Sequence, residues 1–195
     1  MARRTRAEME ETRATLLATA RSVFSERGYA DTSMDDLTAQ AGLTRGALYH
    51  HFGDKQGLLA AVVAAIDAEM GARQQALSDT AHTPREGVRQ RGRAYLEMAL
   101  EPDYQRIVLR DAPAVLGGTS TDAQRHCIAS IQALLERLIE QGVVAEADPQ
   151  ALASLVYGSL AEAAVWIAQG DDGDARLARS TGALELLLRG LLAKP

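Results

Sequence analysis

The chain has 195 residues, 47% apolar, 4% aromatic and 24% charged, with a formal net charge of −5. That length holds one domain or two small ones with an adequate core, and a composition dominated by Ala and Leu favours helices. The single cysteine, Cys127, excludes an intramolecular disulfide framework and any Cys-rich metal site and fits a reducing compartment. No apolar signal segment follows the N-terminal arginines, and no apolar run reaches the ~18–20 residues of a membrane span, so a soluble, cytoplasmic protein without a membrane partner is expected.

In chain order, a first helix is predicted from about Arg6 to Arg27, with Leu16, Leu17, Ala20, Val23 and Phe24 at helical spacing and Gly28 as its stop. Ser33 followed by Asp36 is a capping-box-like start, and Ala41-Gly42 closes that second helix about two turns on. Thr44 caps a third, Arg45 to about Phe52. Asp54 then caps a long helix from about Lys55 to Leu77, with Leu58, Leu59, Val62, Val63, Ile66 and Met70 on its buried side. Pro84 suits the first turn of a helix to about Leu100. Pro102 and Pro113 bracket another short one, and Leu116 to Thr121 reads as a loop. Amphipathic helices follow over Asp122–Gln141, from Asp148-Pro149 to about Ala168, and over roughly Asp174–Leu192. The fold class is therefore all-α, with about nine helices and no convincing strand alternation.

The stretch Thr32 to Leu58 carries the most functional information. Helix, tight Gly-containing turn and helix is the layout of a helix-turn-helix. Leu37, Ala41, Leu43, Leu48 and Phe52 fill its apolar positions, while Arg45 and Tyr49 form an i, i+4 pair on another face of the third helix. Between Leu43 and Phe52 there is no acidic residue. The first 55 residues carry eight basic and eight acidic residues, so the net negative charge falls on the remainder, and a face for phosphate is compatible with the acidic total.

At these residues the chain resembles the TetR family of transcriptional regulators. GLTRGALYHHFGDKQGLL, at Gly42 to Leu59, is similar to that family's core signature, including the LYxxF run and the following Lys, and GYADTSMDDLTAQAG with the amphipathic helix before it extends the likeness back to the N-terminus. Thr38 stands where a small Ala is common, and Gln56-Gly57 departs from the Glu-containing version. A weaker likeness covers RIVLRDAPAVLGG in the C-terminal half. The resemblance implies a helix-turn-helix DNA-binding domain over 1–54 and a helical ligand-binding and dimerisation domain over 55–195. It also implies a double-stranded DNA operator, a small-molecule effector and a homodimer. The alternatives are an activator without small-molecule induction and a helical interaction module.

Residues at the start of a recognition helix approach base edges, so Thr44, Arg45 and Gly46 are candidates for direct readout, with Ala47 small enough to meet a thymine methyl. Tyr49, His51 and Lys55 match family positions that clasp phosphates, which fixes register rather than sequence. His50 contacts base or backbone, or points to water; Ser33 caps its helix and touches phosphate, although the cap alone accounts for it. Arg3, Arg4 and Arg6 form a cationic arm, either a solubilising tail or a minor-groove segment.

Downstream, Met70, Tyr95, Met98, Tyr104, Tyr157 and Trp166 lie on helices that line the effector cavity in the TetR arrangement; each is otherwise an ordinary core residue. Leu152, Leu155, Val156, Ser159, Ala163, Ile167, Leu184, Leu187, Leu188 and Leu191 give two helices apolar residues on more than one face. A dimeric four-helix bundle, or an internal core, accounts for them. Arg85, Arg89 and Arg93 form a stripe that is either a solvated face or an anion site. His126 and Cys127, adjacent on one helix, point about 100° apart and make a poor chelate, so no metal and no cofactor is expected. No catalytic triad, carboxylate pair or phosphate loop is present, so enzyme activity is not expected.

Overall fold

Residues 5–117 and 121–193, which the computed structural model describes, are helical nearly throughout. Arg3 and Arg4 of the cationic arm and Gly118 to Ser120 of the expected loop lie outside these residues. Two compact units emerge: Met1–Ile66 with Pro102–Ser120, and Asp67–Glu101 with Thr121–Pro195. The division between Ile66 and Asp67 falls inside a helix, and the segment 102–120 belongs with the N-terminal unit.

In the first unit the helices begin and end where capping chemistry dictates. Helix α1, Arg6–Arg27, starts at Thr5, whose hydroxyl accepts from the Glu8 N–H while the Glu8 carboxylate accepts from the Thr5 N–H. It stops at Gly28, at φ 84°, a conformation that penalises any side chain. Helix α2, Met34–Ala41, has the same reciprocal cap between Ser33 and Asp36 and ends at Gly42 in the left-handed region. Thr44 caps α3, Arg45–Phe52, and the Asp54 carboxylate receives the Gly57 N–H at 2.6 Å to open α4, Lys55–Thr80. Leu16, Ala20, Val23 and Phe24 of α1 are buried with Leu37, Leu48, Leu58 and Leu59. Burial of such a side chain stabilises by about 1.5–3 kcal/mol.

The returning segment is unusual. Tyr104–Asp111 winds as a π-helix and passes into α6, Ala112–Leu116, straight through Pro113. π-helical backbone is rare and is usually a single bulged turn. Here it is fastened at several points: Asp103 pairs with Arg21 at 2.6 Å, Asp111 accepts the Tyr29 N–H at 2.8 Å, and Arg106 donates to the Arg27 carbonyl at 3.0 Å. Gln56 adds a bond to the Val115 carbonyl.

The second unit contains α5, Pro84–Glu97, capped by Thr83 and continued by a 3₁₀ turn over Met98–Leu100. It also holds α7, Thr121–Glu140, α8, Pro149–Ala168, and α9, Gly173–Gly190. Its core gathers Leu96, Ala99, Leu160, Ala164, Ile167 and Leu184. Gly92 lets α5 and α9 approach, since a Cβ there meets Leu184 at 2.8 Å. Val144 and Leu192 form one isolated bridge, with no strand among the described residues.

Against the expectation from apolar runs, α8 is long and apolar enough to cross a membrane by length and composition. Gln150, Ser154, Ser159 and Glu162 interrupt the run of apolar letters without removing the character of the whole. Its inner face, Ala153, Tyr157, Leu160, Ala164 and Ile167, is spent on the core of this unit.

Candidate nucleic-acid interface

The positive φ of Gly42 turns the chain between α2 and α3, and Leu48, fully buried, pins α3 against α1 and α2. With that face used, Thr44, Arg45, Gly46, Tyr49 and His50 are left exposed, Tyr49 to 44%, and Ala47 and His51 are half-buried. Thr44 uses its hydroxyl to accept the Ala47 N–H at 3.3 Å, as a cap does. Ser33 is occupied in the same way: its hydroxyl both accepts the Asp36 N–H at 3.0 Å and donates to the Asp36 carboxylate at 2.7 Å. The hydroxyl's donation, and after it that of the Ser33 backbone N–H, hold the Asp36 carboxyl below its usual range.

Arg45 is held from two sides. Its Nε lies 3.2 Å from the Asp35 carboxylate, and its guanidinium carbon sits 5.9 Å from the centre of the Tyr49 ring. The Tyr49 hydroxyl, then Asp35, strengthen its hold on the proton. The acid is on the neighbouring helix, which is why a scan of α3 alone finds no carboxylate. Lys55 is half-buried, its ammonium 4.1 Å above the Tyr29 ring, and burial lowers its pKa although Asp31 and Asp111 oppose the shift. Tyr29 is pushed up, first by burial and then by Asp54. Lys55 thus braces the Gly28–Tyr29 corner as well as carrying charge.

The downstream expectations fare unevenly. Met70, Met98 and Tyr157 are buried within the second unit and Tyr95 is half-buried, but Tyr104 is buried in the π-helical segment of the first. Trp166 is 39% exposed and faces outward, with Arg176 and Arg179 4.9 and 5.1 Å from its ring, both guanidiniums fixed by Asp172. Two surface grooves lie elsewhere: one of about 270 Å³ is lined by Arg85, Arg89 and Glu185, and one of about 360 Å³ by Ser78, His82 and Arg137. Arg93 pairs with Glu97.

Inside the second unit, burial raises the Asp67 carboxyl to about 6, and its charge raises Cys127 on α7 and Tyr157 on α8, which burial has already lifted. Asp67 has no hydrogen bond or ion pair among the described residues. Arg91, close to Cys127, donates instead to Ser130 at 2.8 Å. A lone Asp in the run LLAAVVAAIDAEM was the signal that sequence reading passed over.

On the outer face of α8 and α9, Leu155 is 70% exposed and Leu187 56%, with Ser159 exposed beside Gly158. Leu186, not singled out from sequence, is 70% exposed. Leu152, Val156, Ala163, Leu188 and Leu191 are half-buried. Ile167 and Leu184, at 0% and 7% exposure, are buried in the core of their own unit.

Comparison with known proteins agrees along the chain. Residues 16–62 match the model for bacterial regulatory proteins of the tetR family, and residues 85–191 match the Tetracyclin repressor-like, C-terminal domain. The HTH-type transcriptional regulator SrpR of Pseudomonas putida is 47% identical over 64 residues, 33% of this chain and 30% of that protein. AcrR of Shigella flexneri is 39% identical over 71 residues, 36% of this chain and 33% of that protein. The chain thus spans about a third of the length of these curated relatives. A crystal structure of a TetR-family transcriptional regulator from Pectobacterium atrosepticum is 79% identical, covers 98% of this chain and 100% of that one, and superposes with a TM-score of 0.90.

Proposed function

Since the chain belongs to the TetR family of bacterial regulatory proteins and is a regulator rather than an enzyme, we propose that it is a homodimeric transcriptional repressor, released from a near-palindromic operator by a small-molecule effector. The observation that carries the reading is α3: Leu48 anchors one face while Thr44, Arg45, Gly46, Tyr49 and His50 stand in solvent, with Asp35 of α2 paired to Arg45. A helix so presented enters the major groove by its N-terminal residues. Arg45 reads guanine, Ala47 meets a thymine methyl, and Thr44 and Gly46 let the backbone approach. Tyr49, His50, His51 and Lys55 serve phosphate and register, while Ser33, its hydroxyl proton committed to Asp36, fixes the start of α2.

Two such heads are needed for a palindrome, with half-sites one helical turn, about 34–36 Å, or a little more apart. The exposed stripe of Leu155, Ser159 and Leu187, flanked by Leu152, Val156, Ala163, Leu188 and Leu191, supports a four-helix interface between two copies. An effector acts by binding more tightly to the conformation with misplaced heads. Met70, Tyr95, Met98 and Tyr157 are the residues proposed to meet it.

The test is footprinting and gel-shift titration on the intergenic DNA flanking its own gene. A protected near-palindrome is expected, with affinity falling steeply between 50 and 200 mM salt. Binding that ignores sequence, or a monomer in solution, sinks the reading.

A further inference from the structure

The ion pair between Asp35 and Arg45 contributes little to the fold, because both side chains are more than half exposed. Nor is Asp35 needed as a cap. That task belongs to Asp36, whose carboxylate is bonded to Ser33, while Asp35 contributes only its backbone carbonyl, to the Thr38 hydroxyl. What the Asp35 carboxylate does is fix the neighbouring guanidinium. It takes the Nε edge at 3.2 Å, and the Tyr49 ring flanks the same group one helical turn on. A guanidinium held at Nε still has its two Nη groups with which to donate.

That arrangement suits one base. Guanine alone presents two acceptors, O6 and N7, on its major-groove edge, whereas adenine and cytosine place a donor there and thymine a single acceptor and a methyl. A carboxylate beside the arginine also repels phosphate oxygens, so it weakens binding to every duplex while leaving the aligned guanine contact in place. We propose that Asp35 is a specificity-determining positioning residue, aligning Arg45 for bidentate contact with guanine and suppressing attachment to random DNA. The inference rests on the reading of α3 as the DNA-reading helix.

The test uses the full chain, with dissociation constants measured for the footprinted operator, its single-base variants and a random duplex. For Asp35→Ala, random-duplex binding tightens and the operator-to-random ratio falls roughly five-fold, about 1 kcal/mol, with the loss concentrated at one base pair. Asp35→Glu restores the ratio, and Asp35→Asn, which keeps the shape without the charge, does not. In an Arg45→Ala background, Asp35→Ala has no further effect on base preference. The proposal is overturned if Asp35→Ala leaves base preference unchanged, or alters it equally without Arg45, while Arg45→Ala still relaxes it. If Arg45→Ala itself leaves preference intact, the parent reading of α3 falls as well. Thermal unfolding of each variant identifies any loss that comes from the fold.

Discussion

The guanidinium of Arg106 closes over the backbone of Gly28 and donates to the Arg27 carbonyl at 3.0 Å. A Cβ at residue 28 falls on that guanidinium, and φ of 84° is itself unfavourable for a side chain. Gly28→Ala is therefore expected to lower stability by about 1–3 kcal/mol. Adding Arg106→Ala removes the collision but not the backbone strain, so thermal unfolding should show partial recovery. Full recovery would mean that the positive φ at residue 28 carries no cost.

Asp67 predicts a pH dependence of defined sign. Burial lifts its carboxyl from 3.8 to about 6, so the native chain holds that proton more tightly than the unfolded one. Its effect on stability is most favourable below about pH 4, declines as pH climbs through 6, and leaves the whole cost of the buried charge present at pH 7. Asp67→Asn should stabilise by roughly 2 kcal/mol at pH 7.5 and by nothing at pH 4. Urea unfolding at the two pH values measures it; an equal gain at both would point to packing instead.

Lys55 and Arg45 should separate in salt titrations. Lys55→Met keeps a long apolar side chain but removes the ammonium that sits over Tyr29. Binding to all duplexes should weaken alike and the salt slope fall by about 1. Arg45→Ala should instead cost about 1–3 kcal/mol at one base pair. Fluorescence anisotropy on operator and random duplexes distinguishes the two patterns.

Leu155→Glu and Leu187→Glu place a charge on the exposed stripe of α8 and α9. Each should shift sedimentation from dimer to monomer and abolish operator binding while leaving helical circular dichroism intact. Ile167→Ala, by contrast, opens a hole in the core of the second unit and should cost about 2–5 kcal/mol. A dimer unaffected by either glutamate would place the interface elsewhere.

The helix-turn-helix was legible because its determinants are local. Ser33, Gly42, Thr44 and Asp54 act on backbone groups within a few residues, and Leu48 follows from helical periodicity. What escaped depends on distant partners. The π-helical winding of Tyr104–Asp111 is held by Arg21, Arg27 and Tyr29, which no window around residue 104 contains. Asp35 bears on Arg45 across a turn, and Ile167 differs from Leu155 only in which side of α8 the rest of its unit covers. An apolar residue at helical spacing says that something will cover it, not whether the cover comes from its own chain.

The wide-turned backbone at Tyr104–Asp111 places Asp103, Arg106 and Asp111 at angles that match Arg21, the Arg27 carbonyl and the Tyr29 amide together. Rewound at 3.6 residues per turn, the same three side chains would point in different directions and miss their marks together. The segment therefore engages as a latch does, fully or not at all, instead of yielding by degrees like a spring.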